Sequence, residues 1–96
     1  MPDRLLVDLN SNTVAYGGSV VSCRPAAVTE LLYVLNSCSP RMARYAELRY
    51  GVWGYCEPEG WLACIRTYVS WARRIVKQLG VRIDLVDARG YRLVMP

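Results

Sequence analysis

Seven side chains, Arg66, Thr67, Ser70, Trp71, Arg73, Arg74 and Lys77, carry the polar chemistry of an otherwise largely apolar stretch. Guanidinium groups donate paired hydrogen bonds to phosphate or to the acceptor edge of guanine, hydroxyls donate or accept, and an indole stacks on flat or aliphatic groups. This is chemistry for holding an anion rather than for making or breaking a bond. No acidic residue interrupts the set. The chain contains no histidine, which removes the commonest general base and every Ser-His or Cys-His pair. Its four cysteines, Cys23, Cys38, Cys56 and Cys64, are separated by 14, 17 and 7 residues, so none forms the CxxC spacing of a zinc or redox site. They read as small apolar residues, with Cys56, beside the turn Glu57-Pro58-Glu59-Gly60, the one expected at the surface. No catalytic residue, cofactor or metal is expected.

The element that must carry the seven is a helix over residues 61–80. Trp61, Leu62, Ile65, Tyr68, Val69, Ala72, Ile75, Val76 and Leu79 recur at three- and four-residue steps and predict one buried face. Arg66, Ser70, Arg73 and Lys77 follow one another on the opposite side, with Thr67, Trp71 and Arg74 beside them. Gly80 is a C-terminal stop, and Lys77 complements the helix dipole. At about 1.5 Å per residue such a rod is about 30 Å long, ample to lie in a duplex groove about 12 Å wide. Taken alone, a basic helix face is also what ordinary solvation of a packing helix requires.

The remaining chain supplies elements to support that helix. Residues 1–22 read as an antiparallel meander: Leu5 to Leu9 is apolar, Asn10-Ser11-Asn12 turns, Val14 to Tyr16 is a second strand, and Gly17-Gly18 is a hairpin signal before Val20-Val21. Residues 24–80 hold three helices. Pro25 opens the first, whose stripe is Val28, Leu31, Leu32 and Leu35 and whose end is placed at Asn36-Ser37. Ser39-Pro40 opens a second segment, where Tyr45, Ala46, Leu48 and Val52 face inward until Gly54, and a break from Tyr55 to Gly60 leads into the basic helix. Residues 81–96 form a hairpin, in which Val81, Ile83 and Leu85 alternate with Arg82, Asp84 and Val86 before a turn at Asp87-Ala88-Arg89-Gly90. The fold class is therefore α+β, a single winged helix-turn-helix domain over 1–96 with an N-terminal β-meander, three helices and a C-terminal β-hairpin wing.

Charge is distributed unevenly along this order. Residues 1–60 carry five basic and six acidic side chains, whereas residues 61–96 carry seven basic and two acidic. A positive field confined to one third of a chain of net charge +4 suits a polyanion, because each neutralised phosphate releases condensed counterions. Hydrophobic content of 53% fits a globular domain, and no apolar run is long enough for a bilayer or a signal peptide. A cytoplasmic protein acting at the nucleoid, with no membrane partner, is expected.

With these elements in place, the sequence resembles the effector domain of OmpR/PhoB-type response regulators. Val7-Asp8-Leu9-Asn10-Ser11-Asn12-Thr13-Val14-Ala15-Tyr16-Gly17-Gly18-Ser19-Val20-Val21 is similar to the family's opening meander, Val52-Trp53-Gly54 to its second-helix ending, and Gly90-Tyr91-Arg92-Leu93 to its terminal hairpin. Arg66, Thr67, Arg74, Leu79 and Gly80 agree with the family's recognition helix in an ungapped alignment. The resemblance implies that Arg66 and Trp53 touch phosphate, that Thr67 and Arg74 reach base edges, and that Arg73 and Tyr91 approach the backbone. Trp53 is equally a candidate core plug, and Tyr91 a plain strand residue.

Departures from the family pattern fall at Val69, Ser70 and Trp71, where an aspartate, a valine and a histidine are usual, so the target sequence does not transfer. Asp87 stands where a minor-groove arginine is frequent, and Arg89 is the candidate replacement. The stretch from Gly54 to Arg66 is longer than usual, and in the family that loop contacts RNA polymerase. No receiver domain lies within the 96 residues, which implies either a complete single-domain relative of a bacterium, phage or mobile element, or a piece of a larger regulator.

The expectation is a transcription regulator that binds double-stranded DNA with helix 61–80 in the major groove, head to tail on direct repeats as the family often does. The rival is a winged-helix interaction module that binds RNA polymerase or another regulator through Trp71, Trp61 and the long loop, since tryptophan and arginine dominate interface hot spots.

Overall fold

The computed structural model describes residues 4–96; residues 1–3, which the sequence reading includes in the meander, lie outside them. Strands β1 (Leu6–Asp8), β2 (Thr13–Tyr16) and β3 (Ser19–Ser22) form an antiparallel sheet in sequence order. Gly17 and Gly18 both take positive φ, 59° and 84°, which is the geometry a two-residue hairpin turn requires. The register places Val7, Val14 and Val21 opposite one another on the core side and Leu6, Ala15 and Val20 on the other.

Helix α1 (Ala26–Cys38) covers this sheet with Val28, Leu31, Leu32 and Leu35, all fully buried. It runs past its expected end at Asn36-Ser37 because Asn36 does not turn the chain. Its side chain instead accepts from Leu5 N at 2.9 Å and donates to Leu5 O at 2.8 Å, satisfying backbone just ahead of β1. A two-residue strand, β4 (Ala43–Arg44), precedes helix α2 (Tyr45–Trp53), and helix α3 (Trp61–Lys77) follows the loop at 54–60. Strands β5 (Arg82–Val86) and β6 (Gly90–Val94) make the wing, in a second antiparallel sheet of order β4-β6-β5. These elements compose an α+β winged helix-turn-helix. Among the described residues no helix is long and apolar enough to cross a membrane.

Strand β4 is absent from the sequence reading because two residues carry no periodicity. A close approach makes its pairing possible: a Cβ at Gly90 would collide with the Ala43 carbonyl. Leu85 also differs from expectation. It is 52% exposed although its cross-strand partner Tyr91 is buried, because β5 is the edge of the β4-β6-β5 sheet and β4 pairs only with β6. Ala46, expected to face inward, is exposed on α2.

Helix α3 packs against α1 with Ile65, Val69, Ala72 and Val76, while Trp61, Leu62, Tyr68 and Ile75 form its half-buried margins. Its end is a Schellman motif: Val81 N donates to Val76 O at 3.0 Å, Gly80 N donates to Lys77 O at 3.0 Å, and Gly80 has φ 75°. That stop turns the chain directly into β5, so the wing is rooted on the helix it flanks. Cys23 and Cys38 are buried, and burial pushes both thiols above their ordinary range, which keeps them protonated and inert. Cys56 is exposed as expected, and Cys64 is half-buried.

Candidate nucleic-acid interface

At about 100° per residue, the polar side chains of α3 fan out over an arc of about 160° in the order Arg73, Arg66, Lys77, Ser70, Arg74, Thr67, Trp71. All seven are exposed. Arg73 is the edge nearest the wing, and Trp71 the edge nearest the start of α1. Among the described residues the only ion pairs are Arg41–Glu47 and Arg82–Asp84, so Arg66, Arg73, Arg74 and Lys77 have no direct carboxylate partner there, although the charge of Arg73 is felt by Asp84 on β5. The last turn of α3 holds Arg74 and Lys77, where the helix dipole favours positive charge.

Arg73 is the most constrained of these cations. Its Nε donates to Ile83 O on β5 at 3.1 Å, and its guanidinium lies 5.7 Å from the centre of the Tyr91 ring. Guanidinium has five donors, so one is committed to the wing and the group is held in a defined place. Tyr91 is only 5% exposed and stands edge-on to Tyr45, with ring centres 5.8 Å apart. Burial raises its phenol pKa, Tyr45 adds to this, and the charges of Arg73 and Arg66 oppose it, so both arginines act on this ring. The tyrosine is therefore a platform beneath Arg73, with little surface of its own to offer a backbone.

Trp53 is half-buried, its ring 6.0 Å from that of Tyr68, which in turn lies 5.8 Å from Trp71. Three rings thus run from the end of α2 across α3, within the range of favourable aromatic contact. Trp71 is the outermost and is 38% exposed. Trp61, the other indole of the helix, is half-buried and carries the Arg49 guanidinium 5.1 Å from its ring centre. Thr67 donates its hydroxyl to Ala63 O at 3.1 Å, which leaves the oxygen free to act as an acceptor.

Arg89 does not join the helical set but sits on the wing turn. Its backbone is tied there, Arg89 N donating to Val86 O at 2.9 Å and Tyr45 N donating to Arg89 O at 3.2 Å. Asp87 and Ala88 precede it with φ 50° and 55°, a turn of the primed kind.

Two arginines that sequence reasoning missed border the arc. Arg82 shares a hollow with Arg73, Lys77 and Gly80, although Asp84 holds it through bonds of 2.9 and 3.2 Å. Arg24 shares a groove with Pro25, Trp71, Arg74 and Ile75. For Arg82 the signal was its place two residues after Gly80; for Arg24 no sequence signal exists, because only folding brings it to α3. No protein-family model and no curated protein matches this chain.

Proposed function

We propose that the chain is a regulator of transcription that binds double-stranded DNA, with α3 in the major groove. The observation that carries this reading is the acid-free arc of α3, four cations wide, on a helix anchored by its other face and flanked by a hairpin rooted at its C-terminus. A helix about 10–12 Å across fits a groove about 12 Å wide, and an arc of about 160° turns Arg73, Arg66 and Lys77 towards one wall and Trp71 towards the other, while Ser70, Arg74 and Thr67 lie between. In this reading Arg66, Arg73 and Lys77 hold phosphates, Arg74 and Thr67 reach bases, and Tyr91 positions Arg73. The resemblance of the meander, the α2 ending and the α3 residues Arg66, Thr67 and Arg74 to OmpR/PhoB-type effector domains supports the same function.

The test is a titration of random and genomic duplexes at several salt concentrations. With four to six phosphate contacts, log K falls against log salt with a slope of about −4 to −5, at about 0.9 per contact. Absence of binding at low salt, or a flat salt dependence, refutes the reading. The second reading, docking to RNA polymerase, has one observation in its favour: Tyr55 in the α2–α3 loop is 89% exposed, edge-on to Tyr50 with ring centres 5.2 Å apart. It predicts that Trp71→Ala and Tyr55→Ala abolish polymerase binding and leave DNA affinity unchanged.

A further inference from the structure

The groove between the start of α1 and the far edge of α3 joins residues remote in sequence: Arg24 and Pro25 on one wall, Trp71, Arg74 and Ile75 on the other. We infer that this groove is a second backbone-binding site, in which Arg24 holds a phosphate of the DNA strand opposite the wing and Trp71 packs on the adjoining sugar. The inference rests on the DNA-binding reading and adds to it a residue outside the helix and the wing.

Three features support it. Arg24 is exposed and has no ion-pair partner among the described residues. Its backbone is held on both sides: Cys23 N donates to Asn12 O at 2.8 Å, the buried Thr29 hydroxyl donates to Cys23 O at 3.1 Å, and Val28 N donates to Pro25 O at 2.9 Å. An arginine on an anchored backbone loses less freedom on binding than one on a mobile loop. The third feature is the arrangement around α3. Arg73 is fixed against β5 at one edge of the polar arc, so the wing side already has its cation, and Arg24 supplies the corresponding charge at the Trp71 edge. A helix in the major groove is bordered by a phosphate wall on each side, and register requires contacts to both. A guanidinium beside an indole matches the two parts of that wall, because phosphate takes the forked donors and the C–H face of the sugar takes the ring.

The experiment uses the full chain on its best duplex, with methylphosphonate substituted for single phosphates, and compares wild type with Arg24→Ala, Arg24→Lys and Arg66→Ala. Wild type is expected to lose affinity at one phosphate position to which Arg24→Ala is indifferent, and Arg66→Ala to be indifferent at a different one. The salt slope of Arg24→Ala should be shallower by about 0.9, so that its deficit narrows about 3.5-fold between about 50 and 200 mM salt, and Arg24→Lys should restore the slope. Melting of Arg24→Ala should match wild type, since the side chain is exposed. The inference is overturned if Arg24→Ala keeps the wild-type slope and phosphate profile while Arg66→Ala loses its contact. It is equally overturned if Arg24→Ala and Trp71→Ala weaken capture of an acidic peptide or of RNA polymerase but not of DNA. Failure of wild type itself to bind any duplex defeats the underlying reading instead, and so the two failures are distinct.

Discussion

Arg73→Ala should destabilise the fold as well as weaken DNA binding, whereas Arg74→Ala, one residue on, should do only the second. The difference follows from one hydrogen bond and one ring contact. Arg73 Nε donates to Ile83 O at 3.1 Å, and its guanidinium sits 5.7 Å from the centre of the Tyr91 ring, which joins α3 to both strands of the wing. A hydrogen bond from a charged donor contributes about 1.5–3 kcal/mol, and a cation–π contact at an exposed site about 0.5–1 kcal/mol. Arg73 is solvent-accessible, so water recovers part of both. A net loss of about 1–2 kcal/mol, at about 4–8 °C per kcal/mol for a domain of this size, lowers Tm by about 4–16 °C. Thermal unfolding followed by far-UV circular dichroism measures this directly. Arg73→Lys separates charge from geometry: it should restore the salt slope of DNA binding but recover only part of the lost Tm, because an ammonium lacks the planar fork. If Arg73→Ala melts with wild type, or Arg74→Ala falls equally, the wing is not held through Arg73 and the reasoning fails.

Ala88 lies at φ 55°, where a Cβ is strained, so Ala88→Gly should raise stability by about 0.5–1 kcal/mol, read as a rise in the denaturation midpoint with an unchanged m-value. Asp87, at φ 50° beside it, is replaceable by asparagine without disturbing the turn; Asp87→Asn should tighten duplex binding at low salt by removing a charge that repels phosphate, and the gain should vanish as the Debye length falls below about 10 Å. A loss of affinity instead would mean that Asp87 accepts a hydrogen bond from the DNA. Glu47 is held at a pKa of about 2, first by the Arg41 guanidinium at 2.9 Å and then by Arg44 N at 3.2 Å. Because its folded value lies below the ordinary 4.5, this stability is complete above pH 4.5 and disappears as pH falls towards 2. The pair is substantially exposed, so Glu47→Gln should cost only about 1 kcal/mol near pH 7, and acid titration of both forms should close that gap; a gap that stays constant down to pH 2 would refute it.

The amino-acid sequence alone determined the elements whose cause is local. Periodic apolar residues marked α1 and α3, paired glycines marked the meander hairpin, and Gly80 marked the helix stop, since each follows from side-chain spacing or backbone freedom within a few residues. It also displayed the seven polar side chains of α3, because a helix of known period exposes what its core face leaves over. Tertiary structure decided what those residues touch. That Arg73 bonds to Ile83, that Tyr91 is buried beneath it, that Asn36 binds the backbone of Leu5 and that Gly90 admits β4 are all contacts between segments. Arg24 and Trp71 lie about half the chain apart and meet only because α1 begins beside the far edge of α3. Such meetings depend on how helices and sheets pack around one core, and no local pattern of residue types encodes them.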